Sequence, residues 1–595
     1  MRIGAALVLL GSLAAQDREP AFAARRAQLI RWWAGPAQPE PDWGGYPQIA
    51  AKLYWRENPE WCSRRLIELL KDPVGDMFWM FPVTAIAHLD RGQLTLEARQ
   101  ALRRAWKTYY PYRGDTENHW LLYYTSLYLT AQLDPQSGGG TWYTGKSAQE
   151  NRREASEYIR SWMDLTLEKG QGEYDCTHYL GVYLLPLSYL AAWADDPDLK
   201  LRAQMMLEYV IADYAFENLN GLYAGSHART DDVAVVEKWK TVSSDFGWLL
   251  FGQGPEMPVH SMYAGLYAMS SGYQPPAILH QIATDRSQDY VHREKKRTRN
   301  RWRYSELRHA PVYKTTYVRK NYAVGSDQGG VLQPIQQHSW DVTWAVDDPR
   351  GKHNTLFTTH PYSSSYELQM YFSPMPDYFL DEVLRSKKTY DSPDKLIGGS
   401  PYEQIFQDQD TVIALYQIKP GTRFPHIHAF FSRDLVGRRQ DESGWIVARG
   451  GDAYLAYYPL APYEWQPHQI DGKPTGSLRL VSPYLKNGAI VQVADVSEFA
   501  SLEAFQKAVS ELPLRVTLDP VPGVEFTSLR GRVLRFTYGS APTVNGVAVD
   551  YANWPMFESR FVEARPGTRR MELRYGAKRR VLDFRKPEIR EFEVR

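Results

Sequence analysis

From residue 24 to residue 282 apolar side chains recur at helical spacing, and helices of two kinds alternate. Residues 94–110 and 148–167 carry one apolar stripe opposite a charged face, as surface helices do. Residues 77–89, 119–133 and 179–193 are apolar nearly all round, and a helix without a polar face is buried on every side. Outer amphipathic helices alternating with inner apolar ones, joined by short Gly-, Asp- and Pro-containing loops, predict a double ring of helical hairpins, an (α/α) toroid. After Arg303 the period changes to two. Residues 315–324, 340–346, 366–372, 411–418 and 489–493 are short β-branched or aromatic runs bounded by Gly, Pro, Asp and Ser, and they predict an antiparallel β-sandwich. A helix at 501–512 interrupts them, and the strands after 514 form either a separate small sheet or the far wall of the sandwich. The expected fold class is therefore α+β multidomain. It comprises a signal peptide at 1–23, a toroid at 24–305, a sandwich at 306–510 and a C-terminal β-sheet region at 511–595.

The signal peptide is read from Met1-Arg2, an apolar run over 3–10 and small residues through Ala15. Cleavage candidates lie at Ser12-Leu13-Ala14 and at Ala21-Phe22-Ala23. The run is too short to span a bilayer, and no later stretch is long and apolar enough, so a secreted or periplasmic protein without a membrane span is expected. Cys62 and Cys176 are the two cysteines; a bridge and two buried thiols are both open.

With 595 residues, 43% hydrophobic and 23% charged, the chain is long enough for at least two cores and far from the composition of disorder. Seventy Lys plus Arg against 69 Asp plus Glu leave +1, which argues against nucleic acid as a partner held by bulk electrostatics. The one dense basic run, 293–303, has seven basic residues against Glu294 and reads as a solvated linker or as a cationic lip over a cleft. Aromatics are abundant, with 19 Trp, 40 Tyr and 21 Phe, and tyrosine suits surfaces that need an apolar face and a hydrogen bond together.

Three polar clusters fall where apolar inner helices begin or outer ones end. They are Glu117-Asn118-His119, with Thr116 as N-cap; residues 172–179, which include Glu173, Tyr174, Asp175, His178 and Tyr179; and residues 221–229, which include His227 and Arg229. Asn118 and Tyr174 are 56 positions apart, about one hairpin, so the clusters are expected at one mouth of the ring. Asn can donate to a carboxylate, neutral His can act as base, Tyr can give a proton, and Arg can pair with a carboxylate bidentately. That set suits β-elimination from a uronate. Hydrolysis would instead need two carboxyl groups, for which Glu173 and Asp175 with Glu117 or Asp115 are available.

Asn-His at the start of an inner helix, a Tyr-bearing segment one hairpin later and a following sandwich resemble the toroid-plus-sheet polysaccharide lyases, the group holding heparinase II/III-like and some alginate lyases. The resemblance implies that Asn118 neutralises the uronate carboxylate and that His119 and Tyr179 handle protons, with Tyr174 as the competing tyrosine. Residues 351–355 resemble the family's sheet motif and bring in His353, and 501–505 resemble its later helix. The remaining substrate-binding candidates are Arg229, His227, Glu173, His178, Trp120 and Tyr124, with Tyr123 and Trp142 as further stacking or core rings. No cofactor is required for this chemistry. His426 and His428, with His338, His353 and His360, leave room for a structural divalent metal in the β-domain. The expected partner is an acidic polysaccharide or oligosaccharide; a non-catalytic glycan-binding protein on the same fold is the remaining alternative.

Overall fold

The computed structural model describes residues 18–35, 45–73, 76–108, 116–256, 262–270, 273–298, 310–329, 336–365 and 376–594. Within them the N-terminal half is helical and the C-terminal half is antiparallel sheet. Five apolar helices, Gly45–Trp55, Met80–Leu89, Glu117–Leu133, Tyr179–Trp193 and Met262–Ser270, each pack on the next, and the last returns to the first. This closed inner ring is the expected toroid. Arg18–Ala34, Pro59–Leu69, Leu96–Thr108, Ala148–Lys169 and Pro197–Phe216 lie outside it. The outer helices are punctuated as their sequences dictate: Ser147 and Glu150 form a capping box before Ala148–Lys169, and Asp196 with Pro197 opens Pro197–Phe216.

Helix Arg18–Ala34 begins inside the stretch read as a signal peptide. Its Phe22, Leu29 and Ile30 are buried in the helical core, and Arg25 and Arg26 donate to the carbonyls of Leu249 and Ala268. Residues 1–17 lie outside the described residues. Among the described residues no helix is long and apolar enough to cross a membrane.

The β half has three layers. A 13-stranded antiparallel sheet runs, in spatial order, 464–470, 473–482, 427–431, 355–359, 340–344, 322–329, 311–318, 290–297, 557–559, 562–564, 570–575, 578–583 and 588–593. Trp340, Val342, Trp344 and Phe431 from its first half meet Val412, Tyr416, Leu455 and Val491 of a six-stranded sheet to form the sandwich core. The other face of the six-stranded sheet packs through Phe406, Ile413 and Ile490 on helix Leu502–Ser510 and a five-stranded sheet spanning 514–548. The C-terminal region thus divides: its first part is the outer layer, and its last five strands extend the large sheet.

Two strand expectations change. Residues 315–324 are not one strand but the turn region of a hairpin between Pro311–Val318 and Tyr322–Gly329, closed by Arg319 N donating to Tyr322 O at 2.8 Å. The basic run is not a linker over its first part: Tyr290–Arg297 is a strand of the large sheet, and Glu294, Lys296 and Arg297 are buried. Residue 299 onward in that run, and the strand expected at 366–372, lie outside the described residues.

That strand joins the halves. Phe557, Val562, Met571, Leu573 and Leu582 of the terminal strands share one apolar cluster with the helices, and Arg580 pairs with buried Glu208 at 2.7 and 2.8 Å. Beneath them lies a buried charged network. Lys314 Nζ reaches Asp175, Glu217 at 2.8 Å and Glu294 at 2.7 Å, and Lys296 Nζ reaches Asp213, Asp175 at 3.1 Å and Glu294 at 3.0 Å. Four carboxylates meet two ammonium groups, so two negative charges would be in excess if all were ionised. Burial, first, and the neighbouring carboxylates push Asp213 well up and Glu217 up to about 8, whereas Glu294, between the two lysines, is held well below the usual range despite its burial. Protonating two carboxyls makes the network electrically neutral.

Candidate functional site

The first two polar clusters meet where helix Glu117–Leu133 starts. Thr116 has the extended backbone of an N-cap, and its Oγ1 accepts from Asn118 Nδ2 at 3.1 Å. Glu117 turns inward. Its carboxylate accepts from the backbone N–H groups of Gly172 and Glu173 at 2.9 and 2.8 Å, from Trp162 Nε1 at 3.1 Å and from Arg297. Glu117 therefore anchors the 172–179 loop to the helix. The loop passes so close to the sheet that a Cβ at Gly170, where φ is +85°, would sit 2.3 Å from Lys295 O.

Glu173 is the centre of the arrangement. Fully buried, it accepts from Asn118 N at 3.0 Å and Nδ2 at 2.5 Å, and its other oxygen holds Arg229 Nη1 at 3.3 Å. The Arg229 guanidinium lies 5.0 Å over the ring of Tyr179, and Cys176 Sγ donates to Arg229 O. Arg229 and Tyr179 are both part-exposed, as is His119, whose ring stands edge-on to Phe78 at 5.2 Å. Asn118, by contrast, is completely buried, with its amide given to Thr116 and Glu173. The side chain expected to meet a substrate carboxylate instead props the carboxylate that holds Arg229.

The third cluster enters as an edge segment. Ala228 N donates to Tyr174 O at 3.0 Å, His227 and His338 exchange backbone hydrogen bonds at 2.9 Å, and Thr230 N donates to Gln336 O at 2.9 Å. This ties 227–230 between the helical loop and the sheet. Residues 117–119, 173–179 and 227–229 therefore converge, as their spacing predicts.

Several candidates fall inside the protein, unlike part-exposed Arg229, Tyr179 and His119. Tyr174 is buried, its hydroxyl donates to Asp327 at 3.0 Å, and burial with that carboxylate raises it well above the ordinary tyrosine value. His227 is buried, its Nδ1 lies 2.7 Å from Asp175 O, and burial with Lys238 nearby depresses it. Trp120 and Tyr124 stack on each other at 5.0 Å, and Tyr124 stacks on Tyr158 at 4.3 Å, in the core between two helices; Tyr123 and Trp142 are also buried. These rings are packing, and the expectation that they stack on sugar is corrected. His178 pairs with Asp231 at 2.7 Å.

His353 lies apart from these residues, beside a cavity of about 390 Å³ whose walls include Asp232 and Glu237 of the helical half and His353, Lys395 and His468 of the sheet half. Burial lowers both His353 and His468 to about 4. His353 Nδ1 lies 3.2 Å from Ser477 Oγ.

The histidines that suggested a metal are not gathered into one ligand set among the described residues. His338 is bound to Asp341 at 3.1 Å, His360 lies between Ser400 Oγ and Phe424 O, and His426 meets Pro393 O at 3.0 Å; His426 and His428 are 5.9 Å apart, ring to ring. Among the described residues, the side chains close enough to share an ion are Asp213, His292 and Glu294, and Asp175, Glu217 and Glu294. Both sets already surround a lysine ammonium, which takes the acceptor oxygens that a divalent cation would need. The cysteines are both free and buried, with their thiols pushed up to about 11 and about 12 by burial.

Sequence reading missed Asp327, Asp231, Lys314 and Lys395. Glu294, Lys296 and Arg297 lay in a segment singled out, but there the charge suggested solvent rather than a buried strand.

No family model matches the sequence, and no curated protein does. Among solved structures, a Paenibacillus xanthan lyase is similar over 95% of this chain with 9% identity and a TM-score of 0.38. The chain spans 64% of that lyase's length.

Proposed function

We propose that the protein is a polysaccharide lyase that cuts a uronate-containing polysaccharide by β-elimination beside part-exposed Arg229 and Tyr179, with His119 of the adjoining helix start taking part. The observation that carries this reading is the disposition of charge. Arg229, seated on Glu173 and lying over the Tyr179 ring, is a part-exposed cation, whereas Glu117, Glu173 and Asp175 are buried in hydrogen bonds and ion pairs. A hydrolase would need two of those carboxyls at the scissile bond.

In this reading Arg229 pairs with the uronate carboxylate and stabilises the negative charge that develops when the C5 proton leaves. His119 or Tyr179 takes that proton. The C5–H electron pair becomes the C4=C5 double bond, the C4–O bond breaks, and the departing oxygen takes a proton from the Tyr179 hydroxyl. The products are a 4,5-unsaturated uronate and a shortened chain ending in a hydroxyl. Asn118 and Glu173 act as positioning residues for Arg229.

The test is ultraviolet absorbance of unsaturated uronates on alginate, glycosaminoglycan, ulvan and glucuronan, with reducing ends measured in parallel. Absorbance growth that Tyr179→Phe and Arg229→Ala abolish, with circular dichroism unchanged, is the expected result. Reducing ends without absorbance would make the protein a hydrolase, and polymer binding with neither signal a binding module.

Secretion belongs to the same proposal. Cleavage after Ala14 leaves helix Arg18–Ala34 whole, whereas cleavage after Ala23 removes buried Phe22. Sequencing the N-terminus of the exported protein should find the earlier site.

A further inference from the structure

The cavity beside His353 lies between the two halves and takes no part in the elimination. Its volume, about 390 Å³, is that of a small-molecule site and accommodates a sugar unit. Its helical wall begins at Asp232, three residues after Arg229, and three residues of chain span at most about 11 Å. Asp231, between the two, pairs with His178 of the 172–179 loop at 2.7 Å. An oligosaccharide seated on Arg229 therefore has the cavity within reach. In the sheet wall two imidazoles stand with one nitrogen each to spare. His353 Nδ1 is taken by Ser477 Oγ at 3.2 Å and His468 Nδ1 by Thr475 Oγ1 at 2.8 Å. The rings flank Phe430, at 6.2 and 5.3 Å between centroids. Neither Nε2 has a partner among the described residues, and neither is sealed from solvent as both nitrogens of His428 are.

The charges on the walls indicate what fits. Asp232, Glu237, Asp394 and Asp471 line the cavity, with Lys388 and Lys395 as its cations. Each cation nearby is committed or out of reach. Lys388 stands 3.9 Å from Asp471, Lys240 pairs with Glu237 at 2.8 Å, Arg479 pairs with Asp394 at 3.1 Å, and the Lys395 ammonium is sealed from solvent. A uronate entering here would meet four carboxylates and no unpaired cation. A sugar hydroxyl meets acceptors in those carboxylates and, in each imidazole Nε2, a group that donates or accepts according to tautomer. Burial keeps both imidazoles uncharged at neutral pH.

We propose that this cavity is a subsite for an uncharged sugar, held through its hydroxyl groups by His353 and His468, beside the uronate that Arg229 takes. The proposal rests on the lyase reading for the place of the uronate. It makes the substrate a polymer in which uronate and neutral sugar alternate, and not a homopolymer of uronate.

The experiment uses the full chain carrying Tyr179→Phe, so that bound sugar stays whole, and calorimetric titration with two probes. One is a hyaluronan tetrasaccharide, in which glucuronate alternates with N-acetylglucosamine; the other is tetraglucuronate. The first should bind at least about tenfold tighter. Adding His468→Ala should erase that preference by weakening the hyaluronan probe while leaving tetraglucuronate within about twofold. Equal or tighter binding of tetraglucuronate, binding of neither probe, or a preference that His468→Ala leaves intact would each overturn the subsite. Ultraviolet absorbance of the unsubstituted protein on both polymers reads the lyase separately. Preference without absorbance supports the subsite and removes the lyase, and absorbance with equal affinities removes the subsite and keeps the lyase. The two probes on the chain with His468 intact decide the matter even where the His468 variant fails to fold.

Discussion

Glu217→Gln tests the buried network where the two halves join. Glu217 follows the last turn of helix Pro197–Phe216 and accepts from Lys314 Nζ at 2.8 Å and from Thr316 Oγ1. Burial, outweighing Lys314, raises it to about 8 from an ordinary 4.5. A folded value above the unfolded one means that the group's contribution to stability is complete below pH 4.5 and is lost as pH rises through about 8. One proton is worth about 1.4 kcal/mol per pH unit, so between pH 5 and pH 7.5 the unsubstituted protein should lose roughly 3 kcal/mol through this group. Glutamine has the same shape, keeps an acceptor for Lys314 and does not titrate. Urea unfolding followed by tryptophan fluorescence at several pH values should therefore show the variant gaining about 3 kcal/mol on the parent across that interval. A difference constant to within about 0.5 kcal/mol across that interval would show that Glu217 stays ionised when folded, Lys314 outweighing burial, and would refute the neutral network.

Lys314→Met removes the cation shared by Asp175, Glu217 and Glu294 and should destabilise the protein by about 3–5 kcal/mol near neutral pH, less at pH 5, measured in the same unfolding experiment. Tyr174→Phe should cost about 1–3 kcal/mol, because Asp327 loses a buried donor, yet leave kcat on a cleavable polysaccharide within a few-fold; loss of turnover equal to that of Tyr179→Phe would exchange the roles of the two tyrosines. Gly325→Ala places a Cβ 2.5 Å from Gly225 Cα across the junction and should lower stability by about 1–3 kcal/mol, whereas Gly140→Ala, with nothing within 4 Å, should change it by less than about 0.5 kcal/mol in thermal melts.

The ring and the sandwich were legible because their signals are local. Whether a helix is apolar on one face or on all sides separates outer from inner helices, and period two marks the strands. The convergence of residues 118, 173 and 229 was legible for the same reason, through one-hairpin spacing. What the sequence concealed is the direction of side chains. Asn118 and His119 are adjacent, yet in a helix consecutive residues diverge by about 100°, so one faces Glu173 and the other stands against Phe78, part-exposed. The run 293–303 reads as a solvated linker or a cationic lip because charge density outweighs alternation in any scan by composition, yet its first part belongs to strand 290–297. Its His292, Glu294 and Lys296 nevertheless share one face, and that face is buried against Asp213 of helix Pro197–Phe216 and Asp175 of the 172–179 loop, 83 and 121 residues before Lys296. Tyr174 and Tyr179 could not be told apart until Asp327, 153 residues after the first, was seen to hold it.

The pairing of strand 290–297 with strand 557–559 governs when the molecule can be completed. Arg293 and Glu558, which face each other across that pair, are separated by 265 residues. At roughly 5–20 residues per second, synthesis takes about 13–53 s to supply the second strand after the first. Throughout that interval helix Pro197–Phe216 lacks the Phe557 ring that caps Tyr209 at 5.1 Å and the Arg580 that neutralises Glu208. The helical ring thus emerges from the ribosome with an open apolar flank, which waits for strands made 265 residues later to close it.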